Sequence, residues 1–196
     1  MDTKKAILED LGEVKRNLIL LLSSKSNEPV KGKLWYQKEL FLLSKNIPEL
    51  EEEAGFEPYF WGPHSELADS EMEDLVQLGV VRHTVGTGYV LTKLGQDIAS
   101  SVCKDSKDNE ALIEDVKDFL NSLSKDELLL YIYASYPETA EDAVEIKNLL
   151  PKRKDIAIAL YKKDKVSVGK ASEIAGVSVN SMIRELQSKG IYKVEE

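Results

Sequence analysis

The 196-residue chain is 42% hydrophobic and 31% charged, with a formal net charge of −9, which is the composition of a globular protein of one or two domains. The negative charge argues against a general nucleic-acid binder, and the longest apolar run, residues 18–22, is far too short to span a bilayer. Because the acidic N-terminus shows no secretory signal and the single Cys103 has no partner for an internal disulfide, we expect a cytoplasmic protein that does not associate with a membrane.

The first hundred residues are predicted to be mostly helical. An apolar stripe at steps of three and four predicts one helix over residues 4–23, and a second is expected over residues 33–44. The acidic stretch that follows predicts a short turn of helix with a solvated face, formed by Glu49, Glu51, Glu52 and Glu53.

The densest aromatic stretch of the chain, residues 56–61, is predicted to be a short extended segment before a turn at Gly62-Pro63. Either Ser65 or Ser70 can cap the next helix, which ends at Gly79, and Ser70 with Glu73 fits a capping box. Two β-rich runs separated by Gly-Thr-Gly then predict a hairpin, and Thr92 caps a helix that reaches about residue 101.

This order of elements resembles the winged-helix fold of transcription regulators. The positions that carry the resemblance are Leu75, Gly79, Val80, Tyr89, Leu91, Thr92 and Gly95. The stretches KLWYQKELFLL and FEPYFWGPHSEL within residues 7–100 are also similar to YwgA-type winged-helix proteins associated with phages and plasmids. The resemblance implies a fold with a small β-wing, and regulation in mobile elements or toxin–antitoxin systems.

Three domains are predicted: a winged-helix domain over residues 1–104, an acidic helical connector over 105–150 and a basic domain over 151–196. The connector begins with a polar linker at 106–109. It continues with a helix over about 112–123, a helix capped by Ser124 and Glu127 that ends before Pro137, and a short helix over about 139–149.

Residues 167–191 have the pattern of a helix-turn-helix. Ser167 and Ser178 are predicted to cap two helices, Gly176 supplies the left-handed residue that ends the first, and Val177 is predicted to be a buried plug in the turn. The preceding DIAIALY stretch is predicted to be helical. Residues 152–191 together resemble a family of small prokaryotic antitoxin-like proteins, through Leu160, Tyr161, Ser167, Val168, Gly169, Lys170, Ala171, Ala175, Gly176, Val177 and Ser178.

Charge is unevenly distributed along the chain. Residues 147–196 hold 11 Lys and Arg against 6 Asp and Glu, a net charge of +5, whereas residues 1–146 hold 15 against 29, a net charge of −14. This asymmetry predicts a basic module attached to an acidic body. Chance clustering of charge on solvated helices is the alternative interpretation.

The second helix of the helix-turn-helix is therefore the predicted DNA reader. Its exposed start offers Ser178, Asn180, Ser181 and Arg184, and Asn and Arg can make bidentate contacts to adenine and guanine. Phosphate contacts are predicted for Lys152, Arg153, Lys154 and Lys170. A solvated polar face is the alternative. We expect a homodimer on double-stranded DNA, because two copies would read two half-sites.

The winged-helix domain is not expected to read DNA. The helix over residues 65–78 carries five carboxylates and no Lys or Arg, and those carboxylates would repel phosphates. Dimerisation or binding of a protein partner is the predicted use of this acidic body. The carboxylates are Glu66, Asp69, Glu71, Glu73 and Asp74.

No pattern in the sequence predicts an enzyme, a metal site or a cofactor. His64, His83 and Cys103 have no metal-ligand spacing, and no acid–base pair stands out. The sequence therefore predicts a mainly α protein: a winged helix-turn-helix with a small β-wing, a helical connector and a second, C-terminal helix-turn-helix. The predicted function is transcriptional regulation by DNA binding, in one form as an antitoxin-like autoregulator. The alternative is a protein-interaction module that neutralises a partner or dimerises without DNA.

Overall fold

A computed structural model describes residues 3–103, 109–141 and 143–191. This part of the chain is mainly helical with one two-stranded antiparallel sheet, which confirms the predicted mainly α class with a small β element. The chain forms two compact units, residues 1–57 with 63–122 and residues 58–62 with 123–196. The three predicted domains stay a prediction, and most of the predicted linker 106–109 lies outside the described residues.

The first unit contains seven helices and the sheet within its described residues. They are α1 (Thr3–Glu9), α2 (Glu13–Asn27), α3 (Lys33–Ser44), α4 (Pro48–Ala54), α5 (Glu66–Gln77), β1 (Val81–Thr84), β2 (Gly88–Leu91), α6 (Lys93–Val102) and α7 (Glu110–Asn121). Helix α2 is the centre of this unit, because α4, α5, α6 and α7 all pack against it and its residues from Leu18 to Leu22 are buried.

The single helix predicted over residues 4–23 is wrong, because the chain breaks into α1 and α2 at residues 10–12. The carboxylate of Glu53 in α4 accepts hydrogen bonds from the backbone N–H groups of Glu13 and Val14, at 2.8 and 3.0 Å. A Cβ atom at Gly12 would lie 2.6 Å from Glu53 Oε1, so glycine leaves room for this contact. Glu53 therefore caps α2, a role beyond its predicted place on the solvated face of α4, where its residue remains exposed.

The far end of α2 departs from helical geometry at Ser24, and Lys25, Ser26 and Asn27 all have positive φ. The ammonium group of Lys117 in α7 donates to the carbonyl oxygens of Leu21 and Ser24 at 2.8 and 3.1 Å. Lys117 is fully buried. Its side chain thus satisfies carbonyl groups that the end of a helix leaves without partners.

Helix α7 makes a second polar contact with the unit through Trp35 of α3, whose indole N–H donates to the carbonyl oxygen of Leu120 at 3.1 Å. The Asn121 amide also donates to the carbonyl oxygen of Pro29 at 3.0 Å. Helix α7 is therefore fixed to both α2 and α3, and it belongs to the first unit.

The helix predicted to follow the aromatic stretch is α5, and Ser65 is its cap, since its hydroxyl accepts from the N–H of Ala68. The predicted capping box at Ser70 and Glu73 is wrong, because both residues lie inside α5. The aromatic stretch itself contributes isolated bridges, Glu57 with His64 and Phe60 with Gly62, instead of a strand.

The predicted hairpin is confirmed, with Val81 opposite Leu91 and Thr84 opposite Gly88. On the other side of β2, Tyr89 exchanges two backbone hydrogen bonds with Val30, at 2.8 and 3.0 Å. Thr92 caps α6, as predicted. A Cβ atom at Gly95 would lie 2.2 Å from the carbonyl oxygen of Val80, so only glycine lets α6 approach the sheet this closely.

The second unit is helical in its described residues. Its helices are α8 (Lys125–Ser135), α9 (Ile146–Leu149), α10 (Arg153–Lys162), α11 (Val168–Ala175) and α12 (Val179–Ser188), with 3₁₀ turns at Pro137–Ala140 and Leu150–Lys152. The predicted capping box of Ser124 and Glu127 and the helical DIAIALY stretch are both confirmed. The short helix predicted over 139–149 is reduced to a 3₁₀ turn and α9, and residue 142 lies outside the described part.

Candidate nucleic-acid interface

Helices α11 and α12 are joined by a tight turn that forms as predicted. The Ser167 hydroxyl accepts from the N–H of Lys170 at 3.1 Å, and the Ser178 hydroxyl accepts from the N–H of Ser181 at 3.2 Å, so both helices are capped. Gly176 takes the left-handed conformation at φ +66°, and the N–H of Val177 bonds back to Ser172 at 3.0 Å. These bonds match the common glycine termination of helices.

The apolar sides of the two helices are buried against the rest of the second unit. Val177 is only half-buried, so the prediction of a buried plug in the turn is wrong. The buried side chains of the pair are Val168, Ala171, Ile174, Ala175, Met182 and Leu186.

Arg153 has a structural role that the sequence did not reveal. Its guanidinium donates to the carbonyl oxygens of Ile174 and Glu173, at 2.9 and 3.3 Å, at the end of α11. A Cβ atom at Gly176 would lie 2.4 Å from the Arg153 guanidinium, which shows how closely the group covers the turn. Arg153 thus caps the C-terminus of α11, where a cation is also favoured by the helix dipole.

The start of α12 is open to solvent. Asn180, Ser181 and Arg184 are exposed, and Val179 keeps 43% of its surface accessible. The Nε of Arg184 donates to the backbone oxygen of Asn180 at 3.3 Å. The structure therefore places Asn180, Ser181 and Arg184 together on one exposed turn, next to the engaged cap Ser178.

The three lysines among the predicted phosphate ligands are paired with carboxylates of the same unit. Lys152 lies 3.5 Å from Asp126, Lys154 lies 3.3 Å from Glu185 of α12, and Lys170 lies 2.9 Å from Glu173. These are exposed or half-exposed pairs, and such pairs contribute little to stability. They nevertheless compete with a phosphate for each ammonium group.

Another ion pair links α10 to the capping box of α8. Lys163 lies 2.7 Å from Glu127 Oε1. Burial alone would raise the pKa of Glu127, but hydrogen bonds from Lys163 and Ser124 outweigh burial and hold the pKa below its usual range. Glu127 therefore stays ionised and holds Lys163 near neutral pH.

These pairs reflect the charge of the whole second unit. Residues 58–62 and 123–196 together hold 12 Lys and Arg against 12 Asp and Glu, so the unit is neutral. The first unit holds 14 against 23 and carries the full −9. The basic character predicted for residues 147–196 is thus offset within the unit by acidic residues of α8 and the segment after it.

In the first unit, two of the five carboxylates of α5 do not face solvent. Asp69 accepts hydrogen bonds from Tyr36 and Gln37 at 2.7 and 2.8 Å, and it lies 2.5 Å from the Lys33 ammonium group. Burial would raise the pKa of Asp69, but these hydrogen bonds hold it below its usual range. His64 Nε2 also lies 3.2 Å from Asp69.

Glu71 is similarly engaged, 3.0 Å from Lys15 of α2. Glu66, Glu73 and Asp74 remain exposed, so the outward face of α5 carries three carboxylates instead of the predicted five. Within residues 3–103, 109–141 and 143–191, no group of three His, Cys, Asp or Glu side chains is placed to hold a metal ion.

At the level of protein class, the described residues form a mainly helical fold whose second unit contains two short helices joined by a tight turn. Residues 132–195, a third of the chain, match the model of an uncharacterised protein family, UPF0175. The match begins within α8 and includes residues 152–191, where the sequence predicts a resemblance to small prokaryotic proteins. Neither the curated proteins nor the solved structures give a match to the chain.

Among the described residues, no helix is both long enough and apolar enough to cross a lipid bilayer.

Proposed function

We propose that the chain is a DNA-binding transcriptional regulator that inserts the start of α12 into a major groove and acts on its own gene as an antitoxin-like autoregulator. The observation that supports this proposal is the exposed turn of Asn180, Ser181 and Arg184, presented on a helix that is capped and buried on its other side. Amide and guanidinium groups at this place suit adenine and guanine edges. We propose no enzymatic activity.

We also propose that the first unit is a winged helix. The support is the order α5, β1, β2, α6, together with the contacts of Thr92 and Gly95 that bring α6 against the hairpin. The exposed carboxylates of α5 would repel phosphates, so this helix does not enter DNA in our proposal.

The DNA proposal is tested by fluorescence anisotropy, using a labelled duplex from the region upstream of the protein's own gene. Binding should weaken steeply with salt, as expected for contacts to phosphates. Asn180→Ala combined with Arg184→Ala should remove the preference for this duplex over an unrelated one, a change of roughly 1–3 kcal/mol per lost bidentate contact.

Lys93→Ala is the matched control, because it removes one exposed cation from α6 in the first unit. This variant should bind like the native chain. If the native chain binds no duplex even at about 50 mM salt, the DNA proposal is wrong.

The neutral charge of the second unit favours a second candidate, a protein-interaction module that neutralises a partner without DNA. In that case the acidic first unit supplies the attraction for a basic partner. Purification of the tagged chain from its native host would recover such a partner in stoichiometric amount, and this amount should fall as salt is raised.

A further inference from the structure

Val179 is an apolar residue on the exposed start of α12, among the polar residues that are proposed to contact DNA. It is the first residue of the helix, directly after the cap Ser178, and it keeps 43% of its surface accessible. Asn180 and Arg184 lie within the first two turns of the same helix and are exposed. A single exposed valine is common on protein surfaces, so its position relative to these two residues decides what it can do.

Helical geometry places Val179 between the buried side of α12 and its polar side. Successive residues are about 100° apart around a helix axis, so Asn180 and Arg184 lie about 100° and 140° from Val179 in one direction. In the other direction, the buried residues Leu186 and Met182 lie about 20° and 60° from it. Val179 therefore borders the proposed DNA-reading surface without being covered by the rest of the unit.

Ile183 continues this border by one helical turn. It is four residues after Val179, about 40° from it around the axis, and it is half-buried. We call Val179 and Ile183 the apolar edge of α12. Val179 is the more exposed of the two and lies at the end of the helix that would enter a groove first. The start of α12 thus presents the apolar edge beside the amide of Asn180 and the guanidinium of Arg184.

An apolar group beside an amide matches what an A·T base pair presents in the major groove. Adenine offers the N7 acceptor and the N6 donor, which suit the amide of Asn180. Thymine offers its C5-methyl group, which suits an apolar side chain. An unmodified G·C pair has no methyl group in the major groove, and a phosphate has none either. A valine at this position therefore gains contact area in the groove mainly at a thymine.

We propose that Val179 is a specificity-determining residue that contacts the C5-methyl group of a thymine, next to an adenine bound by Asn180. This inference rests on the proposed function, because it requires the start of α12 to enter a major groove. It adds the identity of the bases that are read there. The DNA site contains an A·T pair opposite the first turn of α12, and the methyl group of its thymine, or of the thymine in the adjacent pair, contributes to affinity.

Replacing thymine by uracil tests the contact directly, because uracil pairs with adenine in the same way and lacks only the C5-methyl group. The full chain is titrated by fluorescence anisotropy against the labelled duplex from the region upstream of its own gene, with each thymine replaced in turn. At one position uracil should weaken binding by the native chain about fourfold, the loss expected for one buried methyl group. At thymines away from α12 the change should stay below about twofold.

Val179→Ala assigns the methyl contact to this side chain. The variant should bind the thymine duplex about fourfold more weakly than the native chain does and should lose nothing further with uracil, since the two changes remove the same contact. Val144→Ala is the matched control, because it removes the same two methyl groups from a 60% exposed valine of the same unit outside α12. It should keep the full uracil effect. Far-UV circular dichroism checks that both variants are folded, and the uracil scan with the native chain needs neither.

The outcomes separate this inference from the proposed function. If the native chain binds no duplex at about 50 mM salt, both are wrong. If it binds its own duplex in preference to an unrelated one and uracil weakens binding at no position, only the thymine contact is wrong. A uracil effect that remains at full size in Val179→Ala also overturns the inference, because another side chain would then contact the methyl group.

Discussion

At the scale of single residues, the first unit encloses ionisable groups that the sequence pattern does not distinguish from exposed ones. Glu39 is fully buried, and neither carboxylate oxygen has a hydrogen-bond partner among the described residues. The charges that act on it are Lys117, Glu28 and Lys31. Burial raises the pKa of Glu39 to about 8, because the attraction of the two lysines does not offset the loss of water.

This shift predicts that Glu39 makes the first unit less stable as pH rises from about 5 to 8. In that window the folded chain keeps the Glu39 proton while the unfolded chain has lost it, so the free energy of unfolding falls by up to about 1.4 kcal/mol per pH unit. Glu39→Gln retains a neutral side chain and should lack this dependence. Urea denaturation of both chains at several pH values gives the difference, in which titrating groups that do not interact with Glu39 cancel, whereas Lys117 does interact with it.

Glu52→Gln is the control for this experiment, because Glu52 is an exposed carboxylate of α4. A pH-dependent difference of the same size at this exposed position would show that the effect does not come from the burial of Glu39. A difference between the native chain and Glu39→Gln that does not change with pH would show that the buried carboxyl is ionised.

Arg153 has two roles to separate: it is a predicted phosphate ligand, and in the structure it caps the C-terminus of α11. We expect Arg153→Gln to lower the free energy of unfolding of the second unit by about 1–2 kcal/mol, through two lost hydrogen bonds, and to leave the salt dependence of DNA binding unchanged. Lys152→Gln is the comparison. It should cost little stability and reduce the slope of log affinity against log salt by about 0.9.

Both slopes come from anisotropy titrations at four or five salt concentrations. A slope change at Arg153 equal to that at Lys152 would mean that the guanidinium leaves α11 to hold a phosphate.

At the scale of elements, the success of prediction depended on the distance between the interacting residues. The caps Thr92, Ser124, Ser167 and Ser178 were predicted correctly, because a cap and the N–H that it accepts from lie three residues apart. The break between α1 and α2 was missed, since its cause, Glu53, is 40 residues from Glu13. The apolar stripe continues across the break, so periodicity alone predicts one helix.

At the candidate site, too, contacts between neighbouring residues follow from the sequence pattern and contacts between distant residues do not. Asn180, Ser181 and Arg184 were placed together by helical spacing, which is local information. Lys154 pairs with Glu185, 31 positions away, and Arg153 donates a hydrogen bond to Ile174, 21 positions away. No local sequence pattern predicts either contact. The sequence pattern therefore predicts the candidate surface, but it does not predict the carboxylate and carbonyl groups that pair with the Lys and Arg side chains there.

Glu53→Ala should destabilise the first unit by about 1 kcal/mol, the usual cost of losing a helix cap, because the N–H groups of Glu13 and Val14 lose their acceptor. Glu52→Ala removes the neighbouring carboxylate without this contact and should change the free energy of unfolding by less than about 0.5 kcal/mol. Thermal unfolding followed by circular dichroism measures both. Equal effects of the two substitutions would contradict the capping role.

At the scale of the whole molecule, the division of charge between the two units determines the electrostatic interaction of the chain with a polyanion such as DNA. The first unit carries −9 and the second is neutral, so any duplex is held by local contacts against an overall repulsion. Ion pairs inside the second unit further weaken its attraction for DNA, because they engage lysines that would otherwise contact phosphates. Affinity for DNA should therefore respond to the removal of acidic partners as well as to the removal of bases.

Glu185→Gln frees Lys154 from its partner in α12 and should tighten binding to any duplex by about two- to fivefold, the equivalent of a surface ion pair. The slope against salt should become steeper, because one more ammonium group reaches phosphate. Asp97→Asn is the control, since it changes the net charge by the same amount but frees Lys93 in the first unit, and it should tighten DNA binding by less than Glu185→Gln does. Equal gains from both would indicate that net charge alone governs binding.

The chain has two tryptophans, and they fall one in each unit. Trp35 is half-buried in the first unit with its indole N–H bonded to Leu120, whereas Trp61 is exposed in the second. Their emission should therefore differ in wavelength and in access to a soluble quencher. The intact protein thus carries one tryptophan in each unit, so that the order in which the two units unfold can be followed by selective excitation of tryptophan, without adding a label.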